Sequence, residues 1–313
     1  MTNSLRPMAL LLGVLLIASS CDDGSAKVKN GTTPQAPSAD SGSDAYSSSR
    51  HAPKIRAADC TRLATVFETS TQDVIATSRM RCATLGVPVD HAKPSGKQIT
   101  IAFARLAATG PRSQRLGALM VNPGGPGGSG IEFLAQAGEQ FPEELTKRFD
   151  IVAFDPRGVG ASTQLTCLTQ AQLKAWIEAK PIKDPKKART QSLKDETTLR
   201  DACLKTSKDL FLHIGTDQVV ADLEDLRIAL GNEPMNFFGM SYGTDIAAGY
   251  VSRYPEHVRA IVLDGSLNPD RSLETRALGQ TQSIERAMAA FIARCDASPT
   301  CPLAPTAETQ IKA

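Results

Sequence analysis

The sequence has almost no charge imbalance: 35 Lys and Arg stand against 33 Asp and Glu, a formal net charge of +2. A nucleic-acid reader needs a basic face, so that class of partner is excluded. Histidine is scarce, with four in 313 residues: His51, His91, His213 and His257. Neither a histidine nor a second thiol lies at metal-ligand spacing from any cysteine, so no metal or cofactor is expected. The apolar stretch near the N-terminus, residues 8–17, is too short to cross a bilayer as a helix. No internal repeat is visible. What is present is length enough for one large α/β domain with an appendage.

The N-terminus reads as an address. Arg6 precedes the apolar run, and Ala18-Ser19-Ser20 precedes Cys21, the layout of a signal peptide over residues 1–20. Small residues directly before a cysteine also resemble the lipobox of bacterial lipoproteins, which implies lipidation of Cys21 and a membrane anchor. Ala18 departs from that pattern, standing where leucine is preferred. An ordinary secretory signal is the other reading, and both imply export. Residues 21–50, rich in Ser, Asp, Gly, Thr and Pro, cannot bury enough apolar surface to fold and are expected to be a tether. Export leaves six further cysteines in an oxidising compartment. Proximity along the chain favours Cys60–Cys82, Cys167–Cys203 and Cys295–Cys301.

The chain is organised around Gly239-Met240-Ser241-Tyr242-Gly243. A serine at the tip of a tight strand-to-helix turn brings neighbouring main chain close, and only glycine-sized flanks avoid a clash. The context fits: an apolar run at 235–238 suits a buried strand, and 244–254 suits a helix closed by Pro255.

Upstream, 85–89 and 98–106 read as strands, the second alternating Ile99, Ile101 and Phe103 with smaller or polar residues. A compact apolar run at 117–121 empties into Asn122-Pro123-Gly124-Gly125-Pro126-Gly127-Gly128-Ser129-Gly130, a loop whose bare N–H groups can approach a ligand. Another buried-type strand, 149–154, ends in Asp155-Pro156-Arg157-Gly158-Val159-Gly160-Ala161-Ser162. A polar helical insertion of mixed charge follows, over 166–216. Residues 217–230 form an amphipathic helix with Val219, Leu223, Leu226 and Leu230 on one face. Beyond the elbow helix, 259–263 is a further buried-type strand ending at Asp264. Strands alternating with helices predict an α/β fold with a mostly parallel, doubly covered sheet and its site at the C-terminal strand ends.

Residues 122–130, 155–162 and 239–243, in this order and spacing, resemble secreted α/β-hydrolases of the prolyl-iminopeptidase type, above all the exported tripeptidyl aminopeptidases. The resemblance covers the chain from about Cys60 onward. It implies an α/β-hydrolase core over 51–265, a serine hydrolase acting on peptide N-termini, and Ser241 as nucleophile. It further implies an oxyanion hole from the backbone of Tyr242 and of the glycine loop, at Gly125 or Gly124, with Gly239 and Gly243 flanking the elbow.

The sequence also departs from the family. The triad of this fold runs serine, acid, histidine along the chain, with the last two on strands after a helical cap. Residues 266–313 resemble the start of that cap, with a helix across 274–294, and the last two strands are expected to be missing. No local histidine fits as the base. His51 lies beside the tether, and His91 sits in the turn between the first two strands. His257 is placed across the sheet from Ser241, and His213 precedes the nucleophile in the wrong chain order. Asp264 is the candidate acid. The expectation is therefore the N-terminal part of a longer hydrolase, with 259–263 as an open sheet edge. A non-catalytic lipoprotein scaffold and an esterase on the same fold are the competing readings. Oligomeric state is not legible.

Overall fold

The computed structural model describes residues 54–60, 63, 79–268 and 271–312. The signal peptide, Cys21, the tether and His51 lie outside the described residues. Everything below concerns the unit Ser49–Ala313.

Seven strands form one mixed sheet: β1 (Ile55–Ala58), β2 (Met80–Pro88), β3 (Gln98–Leu106), β4 (Ala118–Asn122), β5 (Asp150–Phe154), β6 (Met235–Met240) and β7 (Val258–Asp264). Their order is β1-β2-β3-β5-β4-β6-β7. The first three pair antiparallel with one another, and β3 also pairs antiparallel with β5. Strands β5, β4, β6 and β7 run parallel, so their C-terminal ends gather on one side. β1 was not foreseen from the sequence.

The period of two in the strands sorts their side chains onto two covered faces. On one face, Ile99, Ile101, Phe103, Met120, Val152 and Phe237 pack with the helix Thr216–Ala229 through Val219, Leu223 and Leu226. On the other, Ala102, Ala104, Leu119, Val121, Ile151 and Ala153 pack with Ile131 and Leu134 of the helix Gly130–Ala137. In chain order we name the helices α1 (Gly130–Ala137), α2 (Glu143–Arg148), α3 (Gln170–Ile177), α4 (Pro185–Thr206), α5 (Lys208–Leu212), α6 (Thr216–Ala229), α7 (Tyr242–Arg253), α8 (Leu273–Asp296) and α9 (Ala307–Lys312).

The insertion is helical as the sequence predicts. Asp184 caps α4 with Pro185 at its first position, and Cys203 is the buried residue of this long solvated helix. All three proximity-based disulfides are formed: Cys60–Cys82, Cys167–Cys203 and Cys295–Cys301.

Residues 259–263 form the open sheet edge expected from the sequence; their apolar run alone suggests a buried strand, yet β7 is mostly exposed, with Val262 at 57% and Leu263 at 44%. Strand order decides this. β7 ends the sheet and pairs only with β6 among the described residues.

Candidate active site

Ser241 stands between β6 and α7 with φ 51° and ψ −121°, a conformation rare for a residue with a Cβ. Such strain costs on the order of 1–3 kcal/mol and persists only where the surroundings impose it. Here they do. The Ser241 N–H donates to the Asp264 carbonyl at 2.8 Å, and the Ser241 carbonyl accepts from the Thr244 N–H at 2.9 Å and its hydroxyl at 2.6 Å. The flanking glycines are steric necessities. A Cβ on Gly239 would stand 2.4 Å from the Gly243 carbonyl oxygen, and one on Gly243 would stand 2.6 Å from that of Asn122. The hydroxyl-bearing residue itself is exposed.

The glycine loop lies directly against this turn. A Cβ on Gly124, whose φ is +92°, would sit 2.4 Å from the Met240 carbonyl oxygen, 2.9 Å from Ser241 Cβ and 2.9 Å from the Tyr242 nitrogen. The structure corrects one assignment here. The Gly124 N–H donates to Asn122 Oδ1 at 3.0 Å, so it is not free to serve as an oxyanion donor. The Gly125 N–H has no acceptor among the described residues. The Tyr242 N–H opens α7 and so has no partner within the helix. Tyr242 is further fixed by its hydroxyl, 2.8 Å from Thr216 Oγ1, and burial pushes its pKa up.

Two residues of the 155–162 stretch take supporting roles that the sequence did not assign. Asp155, at the end of β5, accepts from Ser129 Oγ at 2.6 Å, the Ile131 N–H at 3.1 Å and the Ala161 N–H at 2.8 Å. It thereby ties the end of the glycine loop to the next strand end, and its burial raises its pKa against the opposing pull of these bonds. Arg157 is fully buried. It donates to Asp222 Oδ2 at 2.7 Å and Oδ1 at 2.6 Å, and to the carbonyls of Pro88, Val89 and His213. A strand-end arginine was visible in the sequence, but its carboxylate lies 65 positions away and leaves no local signal.

The described histidines are all engaged by partners other than Ser241. His91 is buried with Nε2 2.8 Å from Asp222 Oδ1. The Nδ1 of His213 is 2.8 Å from the Asp209 carbonyl, and its Nε2 is 3.5 Å from Asp90. His257 lies 3.0 Å from Glu224 and stacks on Tyr254. Asp264 does stand beside the elbow, opposite Met240 in the β6–β7 ladder, with its side chain exposed. Among the described residues no three His, Cys, Asp or Glu are grouped to hold a metal ion. A hollow of about 100 Å³ lined by Arg105, Asp150, Arg227 and Asn236 opens at the opposite ends of the parallel strands, away from this chemistry.

Comparison with known proteins agrees with this geometry. Residues 117–307 match the family described as the alpha/beta hydrolase fold. The tripeptidyl aminopeptidase of Streptomyces lividans is 36% identical over 219 residues, 69% of this chain and 41% of that protein. The serine protease Hip1 of Mycobacterium bovis is 35% identical over 224 residues, 71% of this chain and 42% of that one. Carboxylesterase B of Mycobacterium tuberculosis is 36% identical over 227 residues, 71% and 43% respectively. The chain thus spans about two fifths of the length of the relatives it matches. With strand order, elbow and sequence match in agreement, this chain belongs to the α/β-hydrolase family.

Proposed function

We propose that the chain carries the nucleophile and oxyanion hole of an exported serine hydrolase that cleaves residues or short peptides from peptide N-termini. The observation that carries the reading is the strained, exposed Ser241 with the glycine loop packed onto it at Gly124. In this reading Ser241 Oγ attacks the scissile carbonyl, and the developing oxyanion accepts from the Gly125 and Tyr242 N–H groups. Preorganised donors of this kind act where charge develops, and losing one typically costs ~10²–10³ in turnover. The hydroxyl proton needs a base, and none of His91, His213 and His257, each engaged by another partner, is proposed for it. Asp264, whose carbonyl accepts from the Ser241 N–H, is proposed as the acid of the site. Cys21 is proposed to anchor the protein to the cell-envelope membrane.

Peptide cleavage is supported by the tripeptidyl aminopeptidase and Hip1 relatives. The carboxylesterase relative supports an esterase reading on the same site. The test is an active-site phosphonate probe followed by peptide mapping. Labelling at Ser241 that disappears in Ser241→Ala supports the nucleophile; labelling of a different residue overturns it. A peptide amide with a free N-terminus, compared with a short-chain ester, separates the two substrate classes.

A further inference from the structure

Resting on the reading of Ser241 as nucleophile, we infer that Asn122 is a positioning residue that aims the Gly125 N–H at the reacting carbonyl. Asn122 ends β4 and is fully buried. Its Oδ1 accepts from the Gly124 N–H at 3.0 Å, while its buried Nδ2 has no acceptor among the described residues. A carboxamide with an unmet donor in the interior is disfavoured against an apolar side chain of similar size, unless its acceptor is needed. The need here is the Gly124 N–H.

The consequence for Gly125 follows from peptide geometry. The Gly124 carbonyl accepts from the Gly128 N–H at 3.2 Å, so the peptide linking Gly124 and Gly125 is held at its oxygen. In a planar trans peptide the N–H points opposite the C=O. The Gly125 N–H is therefore turned away from Gly128 and left free. Asn122 clamps the preceding peptide through Gly124 and the loop through Gly128, and between them they leave that unit one orientation.

Asn122 also reaches the other donor. Its main chain pairs with Gly239 in the β4–β6 ladder. Its carbonyl oxygen and Oδ1 stand 2.6 Å and 3.2 Å from where a Gly243 Cβ would be. Asn122, by main chain and side chain together, thus lies between the loop bearing Gly125 and the helix turn bearing Tyr242. Its Nδ2 is enclosed, so it acts through Gly124 and not on a substrate.

The experiment uses the full chain, ¹⁵N-labelled, with amide exchange read by NMR and phosphonylation of Ser241 by a fluorophosphonate read by mass spectrometry. In the unaltered protein the Gly124 amide is expected to exchange at least ~10-fold more slowly than that of Gly125, since one is bonded and the other free. Asn122→Leu is expected to close that gap. It is also expected to lower the limiting labelling rate ~10-fold with the half-saturating probe concentration unchanged, a smaller loss than deleting a donor outright. Asn122→Asp keeps an acceptor in place and restores Gly124 protection. Equal exchange at Gly124 and Gly125 in the unaltered protein overturns the inference, and so does an unchanged limiting rate in Asn122→Leu. Should Asn122→Leu not fold, the unaltered protein and Asn122→Asp decide on Gly124 protection. Labelling of a residue other than Ser241 in the unaltered protein, with Gly124 still protected, refutes the nucleophile reading and with it the catalytic role of the clamp.

Discussion

The backbone N–H of Ser241 donates to the carbonyl of Asp264, 2.8 Å away, so the last residue of the edge strand β7 holds the elbow in its strained conformation. The exposed edge of the sheet and the candidate nucleophile are therefore one mechanical unit. Disturbing β7 is expected to reach Ser241 through that bond.

Gly124→Ala tests the contact between loop and elbow. The added methyl meets the Met240 carbonyl oxygen at 2.4 Å in a backbone with φ +92°, so the loop must retreat. A displacement near 1 Å at a reacting centre costs on the order of 10²-fold. Phosphonate labelling of Ser241 is expected to slow by about that factor. An undiminished rate would mean that the loop takes no part in the reaction.

The Arg157–Asp222 pair tests what holds the site's foundations. Arg157→Met removes the guanidinium and leaves the buried Asp222 carboxylate with His91 as its remaining side-chain partner among the described residues. Breaking a buried pair on one side typically costs about 3–5 kcal/mol. Urea denaturation at neutral pH is expected to show a loss of that size, and a loss under ~1 kcal/mol would place the pair among the weak ones.

Glu224 predicts a pH dependence. Burial alone would raise its pKa, but bonds from Arg227 and Tyr250, with Arg227 and His257 charge nearby, take it below the ordinary value of 4.5. A carboxylate with a depressed folded-state pKa binds protons more weakly folded than unfolded. Its stabilising contribution is full above about pH 4.5 and is lost as pH falls through the lower folded value. Glu224→Gln is expected to be less stable than the unaltered protein at pH 7, with the gap narrowing below pH 4.5. Denaturation midpoints across that range check it, and a gap that widens on acidification would reverse the sign.

The open edge predicts self-association. Val262 and Leu263 are exposed on a strand whose outer main chain has no neighbour among the described strands. Val262→Lys is expected to reduce aggregation, measured by light scattering on heating, with stability changed by about 0.5 kcal/mol or less. Unchanged scattering would show that the edge is not the contact surface.

The local facts were legible in the amino-acid order alone. The alternation of Ile99, Ile101 and Phe103, the stripe of Val219, Leu223 and Leu226, the glycine pair around Ser241 and the neighbouring cysteines each obey a rule that acts over a few residues or along a short loop. Tertiary structure decided the rest. It gave the Gly124 N–H to Asn122, sent Arg157 to a carboxylate 65 positions away and turned three histidines to other partners. The physical reason is that a buried polar group takes whatever partner strand order brings beside it. Strand order joins distant stretches of chain in a way that no local periodicity records.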